Sequence, residues 1–360
     1  MNARFDLWLH GASVGDARAL GPLLARLARL PASPSPGLTV GRAAGREAAT
    51  RWYPELPVLP PPLPFDLSGG RFLRRHGVQL QVLEYLELWP GWMRACARAG
   101  VPVVIVDGRI SHRSLRVRAL LRPSAARVDL FCAQTPEDAE AAVTLGVHPE
   151  RVHVTGNGKH DRVVDPPAPS AELRAAVGEV DLVVGSLNPR EERAAVAAFA
   201  AFPGRILWAP RYPARAEALC RRARAAGVDC VLRTSGGAGA RWVVLDTIGE
   251  LAAAWALGRV ALAGGTFCRR EGQNLVEAAA HGLPVVHGPR IANVVAEARA
   301  LGGRGAFPVD DLAEAADRVR ALVEGRLQAP DPRPALLGLR GAAERQVDLM
   351  RPILEAVADR

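Results

Sequence analysis

Two short stretches of this chain hold carboxylates where chemistry could occur. In WLHGASVGDARALGPLL, Gly11, Ser13 and Gly15 allow a tight turn after an apolar run, and Asp16 falls where a helix begins. A carboxylate at that place could accept a proton from a sugar hydroxyl, acting as a general base. It could equally be an N-cap that satisfies free backbone amides, and spacing alone leaves both roles open. Further on, GGTFCRREGQNLVEAAAHGLPVV runs from a strand through glycines and a polar loop into a helix expected to open on Asn274, with Glu277 one turn in. Backbone amides at a helix start favour an anion, and a neighbouring carboxylate can hold ribose hydroxyls, so this stretch reads as a sugar-nucleotide site.

The elements that would position these residues follow from hydrophobic patterning. Strand-like runs at 5–10, 79–83, 101–106, 129–133 and 152–155 alternate with helical patterns, the signature of βαβ units around a parallel sheet. Residues 164–170 (VDPPAPS) are proline-rich and aperiodic, which predicts a linker. A second series follows, with runs at 182–185, 205–209, 242–245, 260–263 and 284–287. The expected fold is therefore α/β, with two facing Rossmann-like domains built on parallel sheets, the GT-B arrangement. Residues 1–163 form the first domain and 171–340 the second. A helix over 341–360 is expected to pack back on the first.

Composition narrows the classes. The chain has 360 residues, 49% of them hydrophobic but only 5% aromatic, which suits two α/β cores and argues against disorder. Five scattered cysteines without a CxxC pair indicate neither a disulfide framework nor a zinc site, and suggest a reducing cytoplasm. No run reaches the roughly 18 apolar residues of a membrane span. The net charge is +9; residues 1–160 carry 20 basic and 13 acidic side chains, residues 161–360 carry 26 and 24. The excess sits in the first half, which suits an anionic partner such as a phosphorylated lipid, or else a solvated arginine-rich surface. Nucleic acid fits poorly, because aromatics are not interleaved with the charge. Lys159 is the sole lysine.

Several blocks occur in an order that resembles the 3-deoxy-D-manno-octulosonic acid (Kdo) transferases of lipopolysaccharide synthesis. They are HGASVGDA, PFD at 64–66, ELWP at 87–90, VPVVIVDGRISHRS, VTGNGKHD, GSLNPREE, APRYP, DTIGEL and EGQNLVEAAAHGLPVVHGP. The resemblance implies an inverting, metal-independent GT-B glycosyltransferase without a cofactor, moving Kdo from CMP-Kdo to a lipid A precursor. It also implies that positive groups balance the leaving phosphate.

Carried over by position, Asp16 falls on the family's catalytic base, ordinarily a glutamate, so its carboxylate is drawn back by about one methylene. Glu87 matches a glutamate thought to support the transition state; the companion acid is displaced, with Tyr85 in its place and Glu84 one position earlier. Lys159 matches a lysine that would face charge developing at the reaction centre. Pro210 and Arg211 match a pair used on the CMP portion, with Arg211 reaching phosphate. Ile248, Gly249 and Glu250 match a turn beside the cytidine. Asn274, Leu275, Val276 and Glu277 match the nucleotide block, with Glu277 on the ribose diol. Gln273 stands where histidine is usual and Glu271 where glycine is, which bears on sugar selectivity. His281 and His287 read as structural.

The family often carries a hydrophobic anchor before its first strand. Here attachment to the anionic inner face of the inner membrane is expected to rely on the basic first domain. Arg109, Arg113, Arg116, Arg118 and Arg122 are its candidates for lipid phosphates. Two other functions fit these residues: a GT-B transferase for another nucleotide-activated sugar or acceptor, and a non-catalytic paralogue that binds nucleotide or lipid.

Overall fold

The computed structural model describes residues 3–359 except 66–67, 163–165, 238, 270–271 and 273. It divides into two compact units, one of Met1–Arg162 with Arg340–Arg360 and one of Val163–Leu339. Each contains a seven-stranded sheet whose described pairings are all parallel.

In the first unit the strands are β1 (Leu7–Gly11), β2 (Pro36–Val40), β3 (Val58–Leu59), β4 (Leu80–Glu84), β5 (Val103–Gly108), β6 (Leu130–Ala133) and β7 (Val152–Val154). Their spatial order is β3-β2-β1-β4-β5-β6-β7. Every residue of β1, β4, β5 and β6 is buried, because helices cover both faces of the sheet and apolar side chains are needed on each. The order reverses direction between β1 and β4. Loops leaving the carboxyl ends of those two strands diverge there, which is where open α/β sheets bind ligands. Asp16 follows β1, and Tyr85 and Glu87 follow β4.

The helix Ala342–Ala358 completes this unit. Its buried Ala342, Ala343, Gln346, Val347 and Met350 recur at helical spacing, and Val347 and Met350 share a core with Leu7 and Leu9. Asp161 holds its start, taking the amides of Gly341 (2.6 Å), Ala342 (3.2 Å) and Ala343 (2.8 Å). A carboxylate at that end also meets the positive pole of the helix.

The second unit contains β8 (Leu182–Leu187), β9 (Ile206–Pro210), β10 (Cys230–Leu232), β11 (Trp242–Val244), β12 (Val260–Ala263), β13 (Val285–His287) and β14 (Ala306–Pro308). The order is β10-β11-β9-β8-β12-β13-β14, so the reversal falls between β8 and β12. One face of the sheet packs Trp208 and Trp242 with Phe199 and Phe202, the other Trp255 with Leu275 and Val276. Just beyond β12, a Cβ on Gly264 would lie 2.6 Å from Leu187 Cα and 2.8 Å from the Gly185 carbonyl, both backbone atoms. Gly264→Ala is therefore expected to cost about 2 kcal/mol in chemical denaturation, because the two strand ends must part to admit it. A loss below about 0.5 kcal/mol would show that they part freely.

Of the expected linker, residues 164–165 lie outside the described residues. The remainder runs without helix or strand to Ser170, whose Oγ accepts the Leu173 amide at 3.1 Å and starts the helix Ala171–Val177. Among the described residues no helix is long and apolar enough to cross a membrane.

Candidate functional site

Asp16 is not the N-cap. Ser13 holds that position for the helix Val14–Ala19, and Asp16 sits one turn in as the reciprocal member of a capping box. Its Oδ2 accepts the Ser13 amide at 2.9 Å, and its own amide donates to Ser13 Oγ at 3.4 Å. One carboxylate oxygen is thus anchored to the turn, and the helix start fixes the side chain's direction.

Glu87 is half-buried and accepts Trp89 Nε1 at 2.6 Å. Burial pushes its carboxyl above the usual range; the Trp89 bond pulls the other way, and the charge of Asp16 adds to the rise. The charge of Asp16 also reaches Glu84 and Tyr85, and that of Lys159 reaches Glu84 and Asp107. The fold therefore collects Asp16, Glu87 and Lys159 around the β1/β4 reversal, together with three groups less evident in the sequence.

The first of these is Tyr85, in the left-handed region at φ 60°. Its hydroxyl accepts from Lys159 Nζ, which lies 4.7 Å from the ring centroid. Burial and the neighbouring carboxylates raise its phenol strongly, so it stays protonated. The other two are Glu84 and Asp107, 1% and 2% exposed, at the ends of β4 and β5. Beneath the Gly11 turn, His10 is buried with Nδ1 2.8 Å from Thr39 Oγ1, and burial pushes it down to about 4, so it is neutral and structural.

In the second unit the expected nucleotide residues come together by topology. Pro210 ends β9 and Arg211 follows it, residues 248–250 follow β11, and residues 274–277 follow β12, all at carboxyl ends of neighbouring or near-neighbouring strands. Arg211 is exposed, and its amide donates to the Leu187 carbonyl at 2.8 Å. Gly249 takes φ 91°, a conformation that favours glycine, and leaves Ile248 88% exposed. Glu250 is held by Arg233 at 2.7 Å and by the Thr247 hydroxyl.

The helix expected to open on Asn274 begins instead at Val276, whose amide is accepted by Asn274 Oδ1 at 2.9 Å. Leu275 and Val276 are buried in the core, so they have only backbone to offer a ligand, whereas Glu277 is half-buried. Gln273 and Glu271 lie outside the described residues. His281 Nε2 bonds the Ala252 carbonyl at 2.8 Å, and His287 Nδ1 the Gly288 carbonyl at 2.9 Å.

Sequence reasoning missed Glu191. It is 2% exposed, and its carboxylate takes the amides of Asn188 (2.9 Å), Gly265 (2.7 Å) and Phe267 (2.9 Å), tying the loop after β8 to the loop after β12. GSLNPREE is one of the blocks that carry the resemblance, but local spacing gives Glu191 no role of its own.

Residues 2–162 match the family model described as 3-deoxy-D-manno-octulosonic-acid transferase (kdotransferase). The 3-deoxy-D-manno-octulosonic acid transferase of Bordetella pertussis is 32% identical over 338 residues, covering 86% of this chain and 78% of that protein. Among solved structures, a glycosyltransferase from Rickettsia africae aligns with a TM-score of 0.66 at 10% identity, covering 99% of this chain and 98% of that one. The UDP-GlcNAc 2-epimerase of Neisseria meningitidis, bound to UDP-GlcNAc, aligns at 0.65 and 11% identity, covering 96% and 99%. The two structural likenesses establish the GT-B fold, and the sequence likenesses establish that this chain belongs to the 3-deoxy-D-manno-octulosonic acid transferase family of glycosyltransferases.

Proposed function

We propose that the chain transfers Kdo from CMP-Kdo to a hydroxyl of a lipid A precursor, with inversion and without a metal. The first unit takes the acceptor and the second the nucleotide sugar. The observation that carries this reading is Asp16, anchored by its capping box beside the β1/β4 reversal, with Glu87 and Lys159 in the same electrostatic cluster. Asp16 takes the proton of the incoming hydroxyl, and the hydroxyl oxygen bonds to the anomeric carbon. The bond from that carbon to the phosphate oxygen breaks on the opposite face, and CMP departs. Arg211 neutralises the phosphate, Glu277 holds the ribose diol, and the open backbone at Gly249 beside the exposed Ile248 receives the base. Asn274, Leu275 and Val276 complete the nucleotide contacts, the last two through backbone, and Pro210 sets the course of Arg211. Glu250, fixed by Arg233, shapes the turn that Ile248 and Gly249 form.

The same reading places the protein in the cytoplasm, peripheral on the inner face of the inner membrane. Arg113, Arg116, Arg118 and Arg122 are exposed and flank Leu120 in sequence, itself 72% exposed, and each arginine contributes about 1 kcal/mol near anionic lipid.

Incubation with CMP-Kdo and a lipid A precursor should release CMP and yield a lipid heavier by one or more Kdo units. Turnover with a different nucleotide sugar, and none with CMP-Kdo, would overturn the proposal.

A further inference from the structure

Glu84 carries two carboxylate oxygens in the core of the first unit that find no hydrogen-bonding N–H or hydroxyl among the described residues. A buried charge left that way costs several kcal/mol, so the side chain must be neutral or paired. The charge that reaches it most strongly is that of another carboxyl, Asp107. Glu84 ends β4, where it is in register with Val106 of β5, and Asp107 follows Val106 with φ 49°. That left-handed turn comes where the β5/β6 register shifts, and it leaves the Asp107 side chain buried. There Asp107 Oδ1 accepts the Gly158 amide at 2.8 Å and Gln346 Nε2 at 2.7 Å. Gly158 immediately precedes Lys159, whose own amide donates to Asn157 Oδ1 at 2.9 Å.

We propose that Glu84 and Asp107 hold one proton between them and act as a pair of positioning residues for Lys159. This rests on the assignment of Lys159 to the reaction centre made above. Burial pushes the Asp107 carboxyl up as well, but it alone of the two takes N–H donors, from Gly158 and Gln346, and with the charge of Lys159 these favour its ionised form, so Asp107 is the ionised member. Glu84 is the protonated member, and its hydroxyl donates to Asp107. With one proton shared, the buried pair carries a single negative charge, which faces the ammonium of the exposed Lys159. Two carboxylates would leave a net negative charge beside Asp16, and Tyr85, which Arg109 also faces, carries none to offset it. Asp107 thereby fixes the loop bearing Lys159 and, through Gln346, latches it to the C-terminal helix. Glu84 supplies the donor that lets Asp107 keep its charge without water.

The sign of the pH effect follows. Burial and the charge of Asp107 push Glu84 well above the usual range, so the folded chain keeps a proton that the unfolded chain releases above about pH 4.5. Its contribution to stability is complete below that pH and declines as pH rises toward the elevated folded value. Glu84→Gln retains an N–H donor to Asp107 and cannot titrate. Its melting temperature should therefore gain on the parent as pH is raised from about 5 to about 9. In infrared spectra at about pH 8, the parent should show the carbonyl stretch of a protonated carboxylic acid. Glu84→Gln should lose that band, and so should Asp107→Asn, because the new amide donates to Glu84 and lets it ionise.

Lys159 is the only lysine, so isotopically labelled lysine gives a single backbone amide signal beside Gly158. That signal should step with alkaline pH in the parent and not in Glu84→Gln. In turnover, Asp107→Asn should lower kcat about tenfold with KM little changed. An acid band that persists in Asp107→Asn, or a Lys159 signal that titrates alike in parent and Glu84→Gln, would overturn the pairing. The melting, infrared and amide measurements need no turnover. Failure of Kdo transfer would sink the proposed reaction while leaving these results to judge the pair.

Discussion

Asp16→Asn is expected to lower kcat for Kdo transfer by about a thousandfold while KM for the acceptor moves by less than about threefold. Asparagine keeps an oxygen for the Ser13 amide, and the backbone amide of residue 16 still donates to Ser13 Oγ, so the turn and the helix Val14–Ala19 persist. What disappears is the carboxylate proposed to accept the hydroxyl proton. CMP affinity, measured by calorimetry, should be unchanged, because the residues proposed to bind the nucleotide belong to the second unit. Asp16→Glu restores a carboxylate at a position where glutamate also completes a capping box, and it should recover most of the lost rate. The two variants separate charge from geometry. An asparagine variant that keeps more than about a tenth of the parent rate would move the base elsewhere, since general-base catalysis is worth about a hundredfold or more.

The turn that carries Asp16 was legible in the sequence, while the nearness of Glu84 to Asp107 was not, and the difference has a physical cause. A glycine-rich turn between an apolar run and a helical pattern leaves a mark in local spacing. A buried carboxyl pair leaves none, because Glu84 and Asp107 are 23 positions apart and meet only once β4 and β5 pair. The strands followed the same logic. Central strands, buried on both faces, stood out as largely apolar runs. The strands that escaped notice, β2, β3, β10 and β14, lie at or next to sheet edges. Three of them have two or three residues, too short to show a period. The fourth, β2, carries Thr39, whose hydroxyl is bonded by Trp8 Nε1 at 2.7 Å, a polar interruption that makes sense only in the folded sheet. The start of the helix at Val276 shifted for a related reason. Asn274 can cap two residues ahead, and Leu275 follows the demand of the core.

Glu191 gives the other large effect, on stability and donor binding together. Three amides from two loops converge on one carboxylate that is 2% exposed. Glu191→Ala removes their acceptor and admits little water, so two buried N–H groups and a part-buried third lose their partner at once. At about 1–3 kcal/mol for each buried donor left unsatisfied, and allowing for partial relaxation, the expected loss is about 4 kcal/mol. Glu191→Gln keeps one acceptor oxygen but turns an NH₂ toward the remaining amides, so about half that loss is expected. Urea titration followed by tryptophan fluorescence reads both, since Trp208, Trp242 and Trp255 are buried in the second unit. The loops joined by Glu191 flank the β8/β12 reversal, and the one after β12 continues toward Asn274 and Glu277. The glutamine variant should therefore bind CMP about tenfold more weakly, with kcat at saturating donor nearly that of the parent. A loss of stability with CMP affinity intact would confine Glu191 to holding the fold, whereas an alanine variant within about 1 kcal/mol of the parent would mean that the three amides find other acceptors.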